Sequence, residues 1–281
     1  MTADGLGKSP LSLSGLILLA SSIVFVGCGP NTFLSDRDSD IKDSTQALEA
    51  AHEDGQRAKA YSSRGTAYSE KARFSRISKL IPNEEYERLF DLAIKDHNQA
   101  VALNPGDAEV YFNRAQAYYD RGALDLVEDK DGKSWFDAAA LDFEQAVAKN
   151  PKYSLAFDRL GLTYESNGEG DRAVQAYTKE LAFDSFAKQR LADAYCNIGF
   201  RHQQQKEYPA AAAAYLKSIE WGTADDHSCP YDPAASLVAF YTTETREYDK
   251  AWEMLHQLQK ARRWIAPEVI ERLKKDSGRT F

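Results

Sequence analysis

Residues 154–187 read SLAFDRLGLTYESNGEGDRAVQAYTKELAFDSFA. Phe157, Leu160 and Tyr164 fall at i, i+3 and i+7, one stripe of an α-helix. Asn167-Gly168 supplies a turn signal, and a second helical stretch follows with Ala173 and Tyr177 four residues apart. Gly161 in the first helix and Ala173 in the second are small, so the two backbones can approach closely, and Tyr177 fills the space left between them.

The pattern repeats along the chain. Second-helix anchors recur at Ala93, Ala139, Ala173, Ala211 and Ala251, spaced 46, 34, 38 and 40 residues apart. Four positions after them stand His97, Phe143, Tyr177, Tyr215 and Leu255. First-helix anchors match as well, in Tyr61-x2-Arg64-Gly65-x2-Tyr68, Tyr111-x2-Arg114-Ala115-x2-Tyr118 and Tyr195-x2-Ile198-Gly199. Pro105 and Pro151, each after an Asn, close the first two units, and Pro209 suits the first turn of a helix. A helical period fits any bundle, but small residues at fixed offsets from aromatics do not follow from it. The 154–187 unit, with its aromatic-x2-Leu-Gly-x2-Tyr order, resembles the tetratricopeptide repeat, a helix-turn-helix unit of about 34 residues. The resemblance covers about 200 residues, one unit complete and four degraded. It implies an all-α solenoid of about five helix hairpins over residues 46–266. An amphipathic helix at 267–281 is expected to cap the end, since a terminal repeat otherwise leaves its apolar face in water.

Two units exceed the repeat length inside their hairpins, at roughly 71–86 (KARFSRISKLIPNEEY) and 124–135 (LDLVEDKDGKSW). Stacked units place both insertions along one edge. Two readings stay open: a partner-specific lip with Phe74, Leu80, Ile81, Trp135 and Phe136 as apolar contacts, or helix extensions that pack on each other.

The N-terminus reads as an address. Leu11 to Val26 is a 16-residue run without charge after a single Lys8, too short for the roughly 20 residues of a membrane-spanning helix. Phe25-Val26-Gly27-Cys28 resembles a bacterial lipobox, although Phe25 departs from the usual Leu, Val or Ile. The resemblance implies a signal peptide at 1–27 and lipidation of Cys28. Several acyl chains at ~0.8 kcal/mol per buried methylene would hold the chain on a bilayer. An ordinary secretory signal and an uncleaved anchor are the competing readings. The residue after Cys28 is not Asp, which by the enterobacterial sorting rule implies the outer membrane. Residues 28–45 carry Asp36, Asp38, Asp40 and Asp43 with no evident apolar face, and are expected to be a solvated tether spanning on the order of 25 Å.

Chemistry is sparse. A chain of 281 residues with 43% hydrophobic and 28% charged residues is globular, and a net charge of −8 argues against a nucleic-acid binder. Three cysteines make no disulfide framework; a Cys196–Cys229 bridge stays open. His97 sits at a packing position, and His227-Ser-Cys229 supplies too few ligands for zinc. Glu128 to Gly132 lacks the first and last ligands of a calcium loop. No phosphate loop or nucleophile elbow appears, so neither catalytic residues, nor a metal, nor a cofactor is expected. The C-terminal stretch from Arg246 has nine basic against six acidic residues, read as a solvated cap face rather than a lipid-binding one.

In tetratricopeptide arrays the first helix of each hairpin lines the concave surface. Carried onto this sequence, that implies a partner groove of Ser62 and Thr66; Phe112, Asn113, Gln116 and Tyr119; Asp158, Arg159 and Leu162; Cys196, Asn197, Phe200 and Gln203; and Phe240. Several of these aromatics have an alternative place, filling neighbouring hairpins. The carboxylate clamp of some family members is matched only by Asn113 and Arg159, two of five positions, so clamp function is not expected. The expected protein is a lipid-anchored, periplasm-facing adaptor for a protein or peptide partner in the cell envelope. Exported relatives of this layout act as pilotins for secretin pores or adaptors for cell-wall hydrolases. A cytoplasmic scaffold without lipid and an α-helical envelope enzyme are the alternatives.

Overall fold

The computed structural model describes residues 30–78, 83–222, 233–260 and 267–279. Among these residues are twelve α-helices and no strand. They fall into two compact units that divide between Gly168 and Glu169. Gly168 has φ of +79° in the turn predicted at Asn167-Gly168, a conformation that a side chain disfavours.

The first unit contains α1 (Pro30–Ala50), α2 (Asp54–Ile77), α3 (Asn83–Leu103), α4 (Ala108–Val127), α5 (Lys133–Lys149) and α6 (Ser154–Ser166). Each helix packs on the next in chain order, and α2 also packs on α4, and α4 on α6. Adjacency both within hairpins and between successive first helices is the signature of stacked repeats. The anchors Ala93 and Ala139 are fully buried. A Cβ on Gly65 would lie 2.9 Å from the His97 ring and 3.0 Å from the Ala93 carbonyl, so only glycine lets α2 sit this close to α3. His97 itself is 1% exposed.

Polar pairs repeat with the hairpins. Arg64 of α2 donates from Nε and Nη2 to the Asp96 carboxylate of α3 at 2.7 and 2.9 Å. Arg114 of α4 grips Asp142 of α5 in the same bidentate way at 2.6 and 2.8 Å. Each guanidinium also lies over the tyrosine one turn earlier, Tyr61 or Tyr111. The two aspartates are largely buried, so each hairpin is clamped by a shielded fork.

The described parts of the insertions lengthen helices: α2 and α3 run 24 and 21 residues, against 13 for α6. The extensions are joined through Glu128, which accepts from Arg76 at 2.7 Å and from the Tyr86 hydroxyl at 2.9 Å, and pairs with Lys130 at 2.8 Å. Burial pushes the Glu128 carboxyl up, but the hydrogen bonds from Lys130, Arg76 and Tyr86 outweigh it and hold the pKa at about 2. Arg121 lies over both Tyr86 and Trp135, and Trp135 stacks on Tyr118. Phe74 and Phe136 are buried, which favours mutual packing over an apolar lip; Leu80 and Ile81 lie outside the described residues.

Residues 28–45 correct the expectation of a solvated tether. From Pro30 onward they form α1, docked antiparallel on α2. Phe33 meets Phe74 with ring centroids 4.4 Å apart. Arg37 pairs with Glu70, Asp38 with Lys71 at 2.6 Å, and the Thr45 hydroxyl accepts from Arg64 at 3.3 Å. The reason is a diluted amphipathic stripe: Phe33, Arg37, Ile41, Ser44 and Leu48 share one half-buried face, while the aspartates that suggested a solvated segment point mainly to water.

The second unit contains α7 (Gly170–Glu180), α8 (Ala187–Gln204), α9 (Tyr208–Trp221), α10 (Pro233–Thr243), α11 (Tyr248–Lys260) and α12 (Pro267–Ser277). Its helices again pack in sequence order, and α12 packs on α10 and α11. The core gathers Ala211, Tyr215, Leu237, Phe240, Leu255 and Leu273. Gly199 faces the Tyr215 ring so closely that a Cβ would stand 2.7 Å from it. Trp252 Nε1 donates to the Ser277 hydroxyl at 3.1 Å, tying α12 to α11.

Candidate binding cleft

Three of the sequence-derived groove positions converge. Ser62, Thr66 and Asn113 line a cleft of about 780 Å3 in the first unit, formed where α1, α2 and the start of α4 meet. Its volume falls in the range of roughly 300–1,000 Å3 common for ligand sites. The Asn113 amide donates to the Ser62 hydroxyl at 3.0 Å, joining α4 to α2 across the floor. Asp107 caps α4 by accepting from the Glu109 backbone N–H at 2.9 Å, which places both carboxylates at the rim.

The α1 wall was missed from sequence. It brings Arg37, Asp40, Asp43 and Ser44 to the cleft, and Glu70 of α2 stands opposite. Arg37 links the two walls, pairing with Glu70 and with Asp40 at 2.9 Å. The available signal was the helical spacing of Phe33, Arg37 and Ile41, hidden by the density of Asp and Ser.

Other groove positions behave differently. Gln116 is half-buried and donates to Asp120 at 3.0 Å. Burial pushes the Asp120 carboxyl up, with Arg73 4.0 Å away opposing it. Asp158 and Arg159 are half-buried on α6, as are Asn197, Phe200 and Gln203 on α8. Gln203 accepts from the Tyr215 hydroxyl at 2.8 Å.

Five positions turn inward and are corrected to packing residues. Phe112 lies between Phe143 and Tyr153, with centroids at 5.5 and 5.1 Å. Tyr119 is buried edge-on to Phe136 at 5.5 Å, and Leu162 is 5% exposed. Phe240 is buried among Tyr208 and Tyr241. Cys196 is fully buried and disulfide-bonded; Cys28 and Cys229, the chain's other cysteines, lie outside the described residues. Phe112, Tyr119, Leu162 and Phe240, which seemed suited to ligand contact, are consumed by neighbouring helices, and the cleft is lined chiefly by hydroxyls, amides and charged groups.

Among the described residues, no three His, Cys, Asp or Glu side chains gather in a metal-holding group. Among them, too, no helix is long and apolar enough to cross a membrane. His227, like Cys28, lies outside the described residues.

Residues 90–122 match the family model described as TPR repeat, and residues 131–188 match the one described as tetratricopeptide repeat. These two stretches are similar to tetratricopeptide repeats. The matched segments run from within α3 into α4, and from just before α5 to the start of α8. No curated protein matches closely enough to count as a relative. Among solved structures, this chain is similar to the crystal structure of MamA at 23% identity, covering 66% of this chain and 89% of that one, with a TM-score of 0.43. It is similar to TTC0263, a thermophilic TPR protein of Thermus thermophilus, at 19% identity over 81% and 99% of the two chains, TM-score 0.39. BtubC (BKLC) from P. vanneervenii is similar at 14% identity over 89% and 92%, TM-score 0.40.

Proposed function

We propose that this tetratricopeptide protein is a scaffold without catalytic activity of its own, holding a segment of a protein partner in the bacterial cell envelope. The observation that carries the reading is the cleft. Polar groups from two successive first helices, Ser62 and Asn113, meet on its floor beside an open volume suited to an extended chain. Hydroxyl and amide groups serve the backbone of such a segment, and the converging carboxylates set its charge.

Placement in the envelope rests on Phe25-Val26-Gly27-Cys28. The docked α1 alters what a lipid there would do. Its first residue, Pro30, stands two positions after Cys28, a reach of about 7 Å at most. A lipidated Cys28 therefore holds the first unit at the bilayer surface instead of on a long leash, on the outer membrane by the residue that follows the cysteine.

Two experiments test the reading. A photo-crosslinking amino acid at Thr66 or Lys59, both lining the cleft, should capture a partner in intact cells, whereas one at Leu141, exposed on the second-helix side of the second hairpin, should not. Absence of adducts from both cleft positions, or equal capture at Leu141, overturns the scaffold. Labelled palmitate should enter the wild type and be lost in Cys28→Ser; an unlabelled wild type removes the anchor.

A further inference from the structure

We propose that the cleft between α1, α2 and α4 is selective for a partner segment carrying arginine or lysine side chains, a specificity that rests on the scaffold reading and sharpens it. Five carboxylates line the cleft, Asp40, Asp43, Glu70, Asp107 and Glu109, against two cations, Arg37 and Lys59. Among the described residues neither Asp43 nor Glu109 has a cationic partner. The protein already displays the chemistry this wall accepts. The Arg37 guanidinium crosses from α1 to Glu70 and also pairs with Asp40 at 2.9 Å, yet its Nε has no hydrogen-bond partner. It is an internal cation on a site with carboxylates to spare, and a guanidinium from a bound segment reduces the remaining excess.

The polar floor supports the same occupant. Ser62, Asn113 and Asn104 offer hydroxyl and amide groups to a peptide backbone, while Ala58, Ala67 and Val110 leave apolar room for the methylenes of a long basic side chain. A segment rich in Asp or Glu, or a bare chain terminus bearing a carboxylate, meets like charge in a partly enclosed space where screening is weak.

The test is fluorescence anisotropy on the full chain in detergent with three labelled octapeptides, alternating Ala with Arg, Gln or Glu. The Arg peptide should bind at least ~10-fold more tightly than the Gln peptide, a preference that 0.5 M salt removes. Asp43→Asn with Glu109→Gln, at positions that clamp no other helix, should lower Arg-peptide affinity about tenfold. Arg37→Ala should raise it several-fold by freeing Glu70 and Asp40. Asp38→Asn breaks the neighbouring α1–α2 pair outside the cleft and should leave it unchanged, separating charge release from loosening of α1. Equal binding of the Arg and Gln peptides, preference for the Glu peptide, or weaker binding in Arg37→Ala overturns the proposal. So does a partner segment crosslinked at Thr66 that has neither Arg nor Lys, a result that leaves the scaffold itself standing.

Discussion

His97 should make the first unit acid-sensitive at a pH where most carboxylates are still ionised. Its ring is 1% exposed, lodged against Gly65, and its Nδ1 has no hydrogen-bond partner. Burial, with a smaller contribution from the Arg114 charge, lowers its pKa from 6.5 to about 4. The unfolded chain therefore takes up a proton near pH 6.5 while the folded chain refuses it until about pH 4. Stability is unaffected by this group above pH 6.5, falls as pH drops through the interval, and levels off below 4. At ~1.4 kcal/mol per pH unit the loss by pH 5 is about 2 kcal/mol, and about 3 kcal/mol by pH 4. His97→Phe places at this position the residue that the second hairpin carries at Phe143, and removes the titration. Urea unfolding followed by circular dichroism at pH 7.5 and pH 5 checks the difference, because carboxylate effects are common to both proteins. The variant should gain about 2 kcal/mol on the wild type between the two conditions. A stability difference that stays constant within about 0.5 kcal/mol would falsify the account of a neutral, desolvated imidazole.

Gly65→Ala forces a methyl to within 2.9 Å of that ring and should destabilise by about 1–3 kcal/mol in urea unfolding, with less penalty when His97→Ala is added. Asp142→Ala leaves Arg114 with Asn98 as its remaining side-chain acceptor and should lose about 2 kcal/mol, reduced from the fully buried case because the guanidinium is partly wet. Glu128→Gln should lower thermal stability at neutral pH and speed proteolysis at the hairpin tips. The folded carboxyl sits near 2, so its contribution is present above about pH 4.5 and lost as pH falls through 2. Phe33→Ala removes the α1 ring contact and should accelerate hydrogen exchange in α1 while α3 amides keep their protection.

The hairpins were legible because their signal is redundant. Ala93, Ala139, Ala173, Ala211 and Ala251 are all buried without exposed area, and each follows from two coincident requirements, helical period and small size. The Arg64–Asp96 and Arg114–Asp142 forks were equally periodic, at fixed offsets from Tyr61 and Tyr111 and from Ala93 and Ala139. They escaped notice because Arg stands where the family motif has Leu, and a charge at a packing position reads as decay until its partner is seen. The groove suffered the opposite error. A first-helix position fixes which way a side chain sets out but not where an aromatic ring ends: Phe112 and Tyr119 pack on Phe143 and Phe136 of their own hairpin, and reach Tyr153 and Ser166 of the stretch that follows.

The acidic stretch before the repeats failed for a third reason. Ten of the 21 residues of α1 are Ser, Thr, Asp or Asn, poor helix formers that compete for their own backbone. Local propensity alone leaves such a segment unfolded. Its helix depends on a surface that local sequence cannot reveal, the α2 face carrying Phe74, Glu70, Lys71 and Arg64, each meeting its counterpart in antiparallel register. None of the α1 residues from Thr32 onward reaches full burial, so the helix is held chiefly by that ladder of polar contacts and one ring pair. The same segment bears on the proposed charge selectivity of the cleft. Of the four aspartates that made the stretch look like a leash, Asp40 and Asp43 are the two that it brings to the cleft, while Asp38 is spent on Lys71 of α2.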